Sequence, residues 1–339
     1  MRFLICLLLM TSSMVFAQEA DLLFQSNEIL QVTIEGPLDT LIDEKSKEDY
    51  LDGHFRYTEA DGSPVEFDLK FRARGNFRHE NCAYPPIRLN FKTSQTKNTL
   101  FHKQDKLKLV VHCSRRAEYQ QIVLQEYLAY RIFNTLTDLS MRVRLLQVTY
   151  IDTDKQRQSE PRYAYLIEHK DRTAKRLETK ELVVKGTTVA QVNPEILNLT
   201  SIFQYFIGNT DFSPIAGAPG DDCCHNYILF QNPDTAITPI PYDFDQSGFV
   251  DAPYANPNPA FGLRTVKQRH YRGRCVNNSY VDASVQRFKD EKEAIYSLIA
   301  EQQELSDKTR KNLNSFVDKF YKLIEDPDKV EKSLRKRCV

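Results

Sequence analysis

An α+β fold, with a β-rich N-terminal part and a mainly helical C-terminal part, is predicted by three features of the sequence. Apolar and charged residues alternate strictly in short runs before residue 111, as in Val65, Phe67, Leu69 and Phe71. From about residue 116 the apolar spacing changes to three and four, the period of an amphipathic helix. After residue 280 that helical spacing returns in two long stripes.

In chain order, Met1 and Arg2 precede an apolar run from Phe3 to Met10, a Thr11-Ser12-Ser13 break and Val15-Phe16-Ala17. This order of charge, apolar core and small residue predicts a signal peptide over residues 1–17, cleaved after Ala17. Cys6 belongs to the discarded segment, and no lipid anchor is implied. No later segment has the roughly 20 apolar residues of a membrane-spanning helix. The expected location is secreted or periplasmic. Six of the seven cysteines then remain, and an even number in an exported chain predicts disulfides rather than thiol chemistry. Cys82 and Cys113, each beside a predicted strand, form the first expected pair; a strained vicinal bridge is avoided if Cys275 and Cys338 reach Cys223 and Cys224. A thiol metal site lacks a second close cysteine pair. Lys and Arg balance Asp and Glu at 46 each, which argues against a general polyanion or nucleic-acid binder.

Strands are predicted at residues 29–34, 65–71, 87–92 and 106–111, followed by a helix over 116–136. Glu126 falls on the apolar stripe of that helix. Two more strands follow at 143–151 and 163–168, completing a β-rich lobe over residues 18–180. In the remainder, 181–339, a short helix ends at Gly208, and a Gly-, Pro- and Asp-rich loop runs to Cys224. A hairpin follows at 227–230 and 238–241, then a helical tail with Ser306 as one cap and Asp326-Pro327 starting the last helix.

Oxygen-bearing residues gather in this second part: Asn209-Thr210-Asp211, His225-Asn226, and Asp243 and Asp245 directly after a predicted strand. Carboxylate and amide oxygens suit Mg²⁺ or Mn²⁺ holding a polyphosphate. An aspartate that takes a hydroxyl proton, with an Asn and a strand-end Asp on the metals, is the equipment of phosphoryl transfer.

The sequence resembles the CotH family of secreted atypical protein kinases. The resemblance rests on Arg72-Ala73-Arg74-Gly75-Asn76, the Pro-containing strand over 84–92, the long helix after it, Tyr165-Leu166-Ile167-Glu168, Ile207-Gly208-Asn209-Thr210-Asp211, Asn226-Tyr227-Ile228-Leu229 and Pro241-Tyr242-Asp243-Phe244-Asp245. It implies a two-lobed protein-kinase-like fold, with ATP as donor and an exported protein or other envelope acceptor. Asp211 takes the place of the catalytic aspartate, and Asn226 and Asp243 those of the metal ligands. Glu126 matches a helix carboxylate that pairs with a phosphate-binding lysine, and Arg74, before Gly75, is placed to approach a phosphate. The sequence departs from the pattern twice. Asp211 and Asn226 stand fifteen positions apart, and Arg88 follows the Pro-rich turn without the usual preceding lysine, leaving Lys92, Lys106 or Lys108, of which Lys108 adjoins the helix that carries Glu126. The alternative reading is a catalytically inactive pseudokinase or an envelope protein stabilised by a divalent ion. Glu168 is left as a hinge or site residue.

Overall fold

The computed structural model describes residues 19–218 and 220–339. The predicted signal segment and its expected cleavage site after Ala17 lie outside these residues. Strands β1 (Leu30–Gly36), β2 (Leu51–Thr58), β3 (Pro64–Ala73), β4 (Ile87–Phe91) and β5 (Lys106–Val110) form an antiparallel run. Helices α1 (Leu38–Glu44) and α2 (Phe77–Asn81) fill its connections, and α3 (Glu118–Leu136) follows it. Then β6 (Val143–Asp152), the two-residue β7 (Arg157–Gln158) and β8 (Arg162–Ile167) return to the sheet, β8 beside β5 and β6 beside β8.

The sheet closes. β6 pairs in parallel with β1, from Leu30 opposite Leu146 to Gly36 opposite Asp152, giving a seven-stranded barrel in the order β1-β2-β3-β4-β5-β8-β6. Alternation along each strand sends one set of side chains inward. Val32, Phe55, Phe67, Leu89, Leu107 and Leu166 belong to one packed interior, together with Phe101, whose ring meets that of Phe55 edge-on at 5.1 Å. Leu38 and Leu41 of α1 join the same cluster at one mouth.

After α4 (Lys170–Arg176), a small sheet of β9 (Lys180–Glu181), β10 (Tyr227–Gln231) and β11 (Thr238–Pro241) accompanies α5 (Pro194–Ile207). The chain ends with α6 (Val281–Asp290), α7 (Lys292–Glu301), α8 (Asp307–Ile324) and α9 (Pro327–Ser333). Their apolar faces share a second core with α3 and with the outward-facing Val110, Leu145 and Tyr165 of the barrel. Among the described residues no helix is long and apolar enough to cross a membrane.

The expected two-lobed protein-kinase-like fold is therefore corrected: the β-rich part is a closed barrel, and α3 and the barrel wall are built into the helical core rather than separated from it. Strand periodicity reports which face of a strand is buried, and it carries no information on whether the first strand meets the sixth.

The disulfide expectation is half corrected. Cys82 and Cys113 are bridged, with Cα atoms 4.7 Å apart. Cys275 bridges Cys338, Cα atoms 5.0 Å apart, and Cys223 bridges its neighbour Cys224. The C-terminus brings Cys338 home, because Val339 N–H donates to Gly273 O at 2.9 Å and Cys275 N–H donates to Val339 O at 3.2 Å. Glu168 is buried in an ion pair with Arg176 at 2.8 Å and also accepts from Thr173 Oγ1, so its environment is that of a structural acid.

Candidate functional site

Asp211 stands just past α5. Asn193 caps the start of that helix by accepting from Ile196 N–H at 3.1 Å, with Pro194 at its first position. Gly208 ends it at φ +66°, where a Cβ would come within 3.1 Å of the Phe316 ring and 3.3 Å of Val266 O. The backbone then turns: Asn209 Oδ1 accepts from Asp211 N–H at 2.9 Å, and Arg272 Nη1 donates to the carbonyls of Thr210 and Phe212 at 3.0 and 2.5 Å. These contacts fix the direction in which the Asp211 carboxylate leaves the chain.

Asn226 immediately precedes β10, and Asp243 is the second residue after β11. Tyr227 pairs with Pro241, and Tyr242 N–H donates to Asn226 O at 3.0 Å, so the hairpin delivers both residues at one end. Both have left-handed backbone, φ +56° for Asn226 and +63° for Asp243, a conformation uncommon outside glycine. Tyr130 of α3 holds the second of these turns by accepting from Asp243 N–H at 2.8 Å. Asn226 Nδ2 donates to Asp211 O at 2.6 Å and to Asp211 Oδ2 at 3.1 Å. His225 Nε2 lies 2.7 Å from Asp211 Oδ1, and this hydrogen bond, outweighing burial, raises the imidazole above its usual range. Asp243 is exposed and Asp245 buried; burial, reinforced by Asp243 and Glu126, pushes Asp245 well above the carboxylate range.

Glu126 is 1 % exposed on α3. Its partner is Arg78 of α2, Nη1 to Oε2 3.7 Å, and Arg78 is also anchored on Val111 O. The expected pairing of Glu126 with a lysine is thus corrected to an arginine. Burial raises the Glu126 carboxyl, and the Arg78 charge holds it back. Arg78 is raised despite its burial by Tyr254 and by the carboxyl groups of Glu126 and Asp245 around it.

Lys108 projects from the outer face of the barrel. Register puts it directly beside Arg88 of β4, and Arg88 directly beside Arg72 of β3, so three cations form a row on one face. Arg74 lies at the end of the same strand, its N–H donating to Pro86 O at 2.9 Å. Among the described residues none of these four cations has an acidic partner, and Nε of Arg72, Arg74 and Arg88 is enclosed without an acceptor. The Lys108 ammonium stands over the Tyr242 ring at 4.7 Å. Burial and the Arg74 charge lower Lys108 to about 8, against the opposing pull of Asp243; burial likewise lowers Arg74, again opposed by Asp243.

The structure therefore gathers Asp211 and Asn226 by direct hydrogen bonds and Asn226 and Asp243 by adjacent strand ends. Arg74, Lys108 and Glu126 all lie within the electrostatic reach of Asp243. Among the described residues no three His, Cys, Asp or Glu side chains are arranged to hold a metal by themselves. A cation here would depend on the amide oxygen of Asn226 and on oxygens of its ligand besides Asp211 and Asp243, a donor set that fits Mg²⁺ or Mn²⁺.

Sequence reasoning missed Arg78 and Arg88. Arg88 was readable from alternation, because Ile87, Leu89 and Phe91 face inward and leave it outward. Arg78 had no such signal, since its burial depends on where a five-residue helix is folded against α3. No protein-family model matches this sequence, and no curated protein matches it.

Proposed function

We propose that the chain is an exported phosphotransferase of the CotH type, moving the γ-phosphoryl group of ATP to a hydroxyl of an envelope acceptor. One observation carries this reading: Arg74 and Lys108, cations without acidic partners among the described residues, lie within reach of the Asp243 charge, and Arg88 and Arg72 continue the row beside Lys108. A polyphosphate needs these cations for its charge, and a divalent cation bridging it needs the oxygens of Asn226 and Asp243. The proposal rests on these side chains and not on a kinase-like lobe arrangement. The Cys82–Cys113 and Cys275–Cys338 bridges are in keeping with export.

In this reading Arg74, Arg88 and Lys108 receive the phosphates, and Asn226 and Asp243 would hold Mg²⁺ or Mn²⁺, which would supply charge neutralisation. Asp211 accepts the proton of the acceptor hydroxyl as its oxygen bonds to the γ-phosphorus and the bond to the β-phosphate oxygen breaks, releasing ADP. His225, bonded to Asp211 Oδ1, fixes the orientation of the carboxylate.

The test is thermal unfolding with ATP and Mg²⁺ or Mn²⁺. Ligand at a hundredfold excess over its dissociation constant stabilises by about 2.7 kcal/mol. Asp243→Ala is expected to remove the metal-dependent part of that gain, and mass spectrometry of envelope extracts to find acceptors carrying phosphate rather than AMP. No stabilisation by ATP with either metal overturns the reading. A second reading, a protein that holds a polyphosphate ligand without transferring it, is favoured by one observation: both Asp211 oxygens are already engaged, by His225 and by Asn226. It predicts the same stabilisation with no phosphorylated product.

A further inference from the structure

At the mouth of the barrel capped by α1 lies a cavity of about 340 Å³ that shares no lining residue with the carboxylate cluster. Its apolar wall consists of Leu38 and Leu41 of α1, Ile87 at the start of β4, and Val111 just past β5, all buried. Two polar groups interrupt this wall. His112 is 7 % exposed, and its Nδ1 has no hydrogen-bond partner among the described residues; the enclosed hydroxyl of Tyr150 has none either. The rings of Tyr84 and Tyr150 flank the imidazole, with centroids at 4.9 and 6.4 Å.

Buried polar atoms are nearly always satisfied in folded proteins, so two orphans on side chains that line one cavity call for a ligand that completes them. Barrel mouths of this size are common small-molecule sites. The charge at the rim narrows the class. Asp39 and Asp152 are taken up by Lys155, by Arg157 and by the first N–H groups of α1, and Glu160 is exposed. Arg115 donates to Tyr84 Oη at 2.6 Å, and Arg162 has no acidic partner among the described residues. Burial, with the charges of Arg162 and Arg78, lowers His112 to about 4. Near neutral pH the ring is thus uncharged and offers one donor and one acceptor.

We propose that this mouth binds a small organic anion: an aromatic or branched apolar body seated between α1 and the two tyrosines, with a polar group on His112 and Tyr150 and its negative charge at Arg162.

The probe is 8-anilinonaphthalene-1-sulfonate, titrated by fluorescence into the purified disulfide-bonded protein, with its uncharged analogue N-phenyl-1-naphthylamine alongside. The expected result is saturable binding of one probe per chain. Arg162→Gln, and separately removal of the sulfonate, should weaken binding about fivefold or more, the scale of one charge-assisted contact. Ile42→Trp, which fills the cavity, should weaken it at least about tenfold, whereas Asp243→Ala should leave it unchanged. Arg162→Gln alters only the rim and keeps the test decisive should Ile42→Trp disturb α1. Absence of saturable binding, equal binding by the Arg162→Gln variant, or equally tight binding of the uncharged analogue overturns the proposal.

Discussion

Lys108 is a cation whose charge is easily lost. Lowered to about 8 by burial and by Arg74, it is charged below that pH and neutral above it. Affinity for ATP should therefore fall as pH rises through about 8, and Lys108→Met should bind about tenfold more weakly and lose that limb, as read by titration calorimetry across pH. Arg78 and Glu126 make a second residue-scale case, because each is buried and each compensates the other's charge. Arg78→Met alone should destabilise by about 3–5 kcal/mol, while Arg78→Met with Glu126→Met should recover most of that loss, measured by urea denaturation of the four corners of the cycle. At this scale the sequence points to Asp211, Asn226 and Asp243, because Asp211 follows a recognisable helix end, Asn226 precedes a strand and Asp243 follows one. It does not disclose that Glu126 meets an arginine, since residues 78 and 126 approach only through the folding of α2 onto α3.

Helix α5 and the β10–β11 hairpin do the positioning, and their ends are where substitution should be felt. Gly208→Ala combines a left-handed backbone with a close Cβ contact to Phe316 and Val266 O. It should lower stability by about 1–2 kcal/mol, seen as a shifted denaturation midpoint with an unchanged slope, and should displace Asp211 with it. The alternating runs at 65–71 and 87–92 and the helix expected over 116–136 are found as β3, β4 and α3, since their periodicity is strong. Strand β2 was illegible: its burial alternates only at Phe55 and Tyr57, and Asp52, Gly53 and His54 ahead of them read as a turn. The Cys223–Cys224 bridge departs from the expectation of distant partners, which rests on the strain of a vicinal bridge alone.

At the scale of the whole molecule, two cores are carried by the same strands. Val110 faces the helices while Leu109 and Val111 face the barrel, and Tyr165 and Leu166 divide in the same way on β8. Melting either core exposes the other, so calorimetry should find one transition with calorimetric and van't Hoff enthalpies in agreement. Alternation could reveal that both faces are apolar at these positions. It could not reveal ring closure, which joins Leu30 to Leu146 across most of the N-terminal half. That seam sets an order of assembly. The first five strands emerge from synthesis as an open ribbon with bare hydrogen-bonding rims on β1 and β5, and the two staves that fill the gap, β6 and β8, arrive only after α3. Until this late hairpin slots in, the nascent chain offers two sticky edges to any neighbour, and truncation before residue 143 leaves them permanently unsealed.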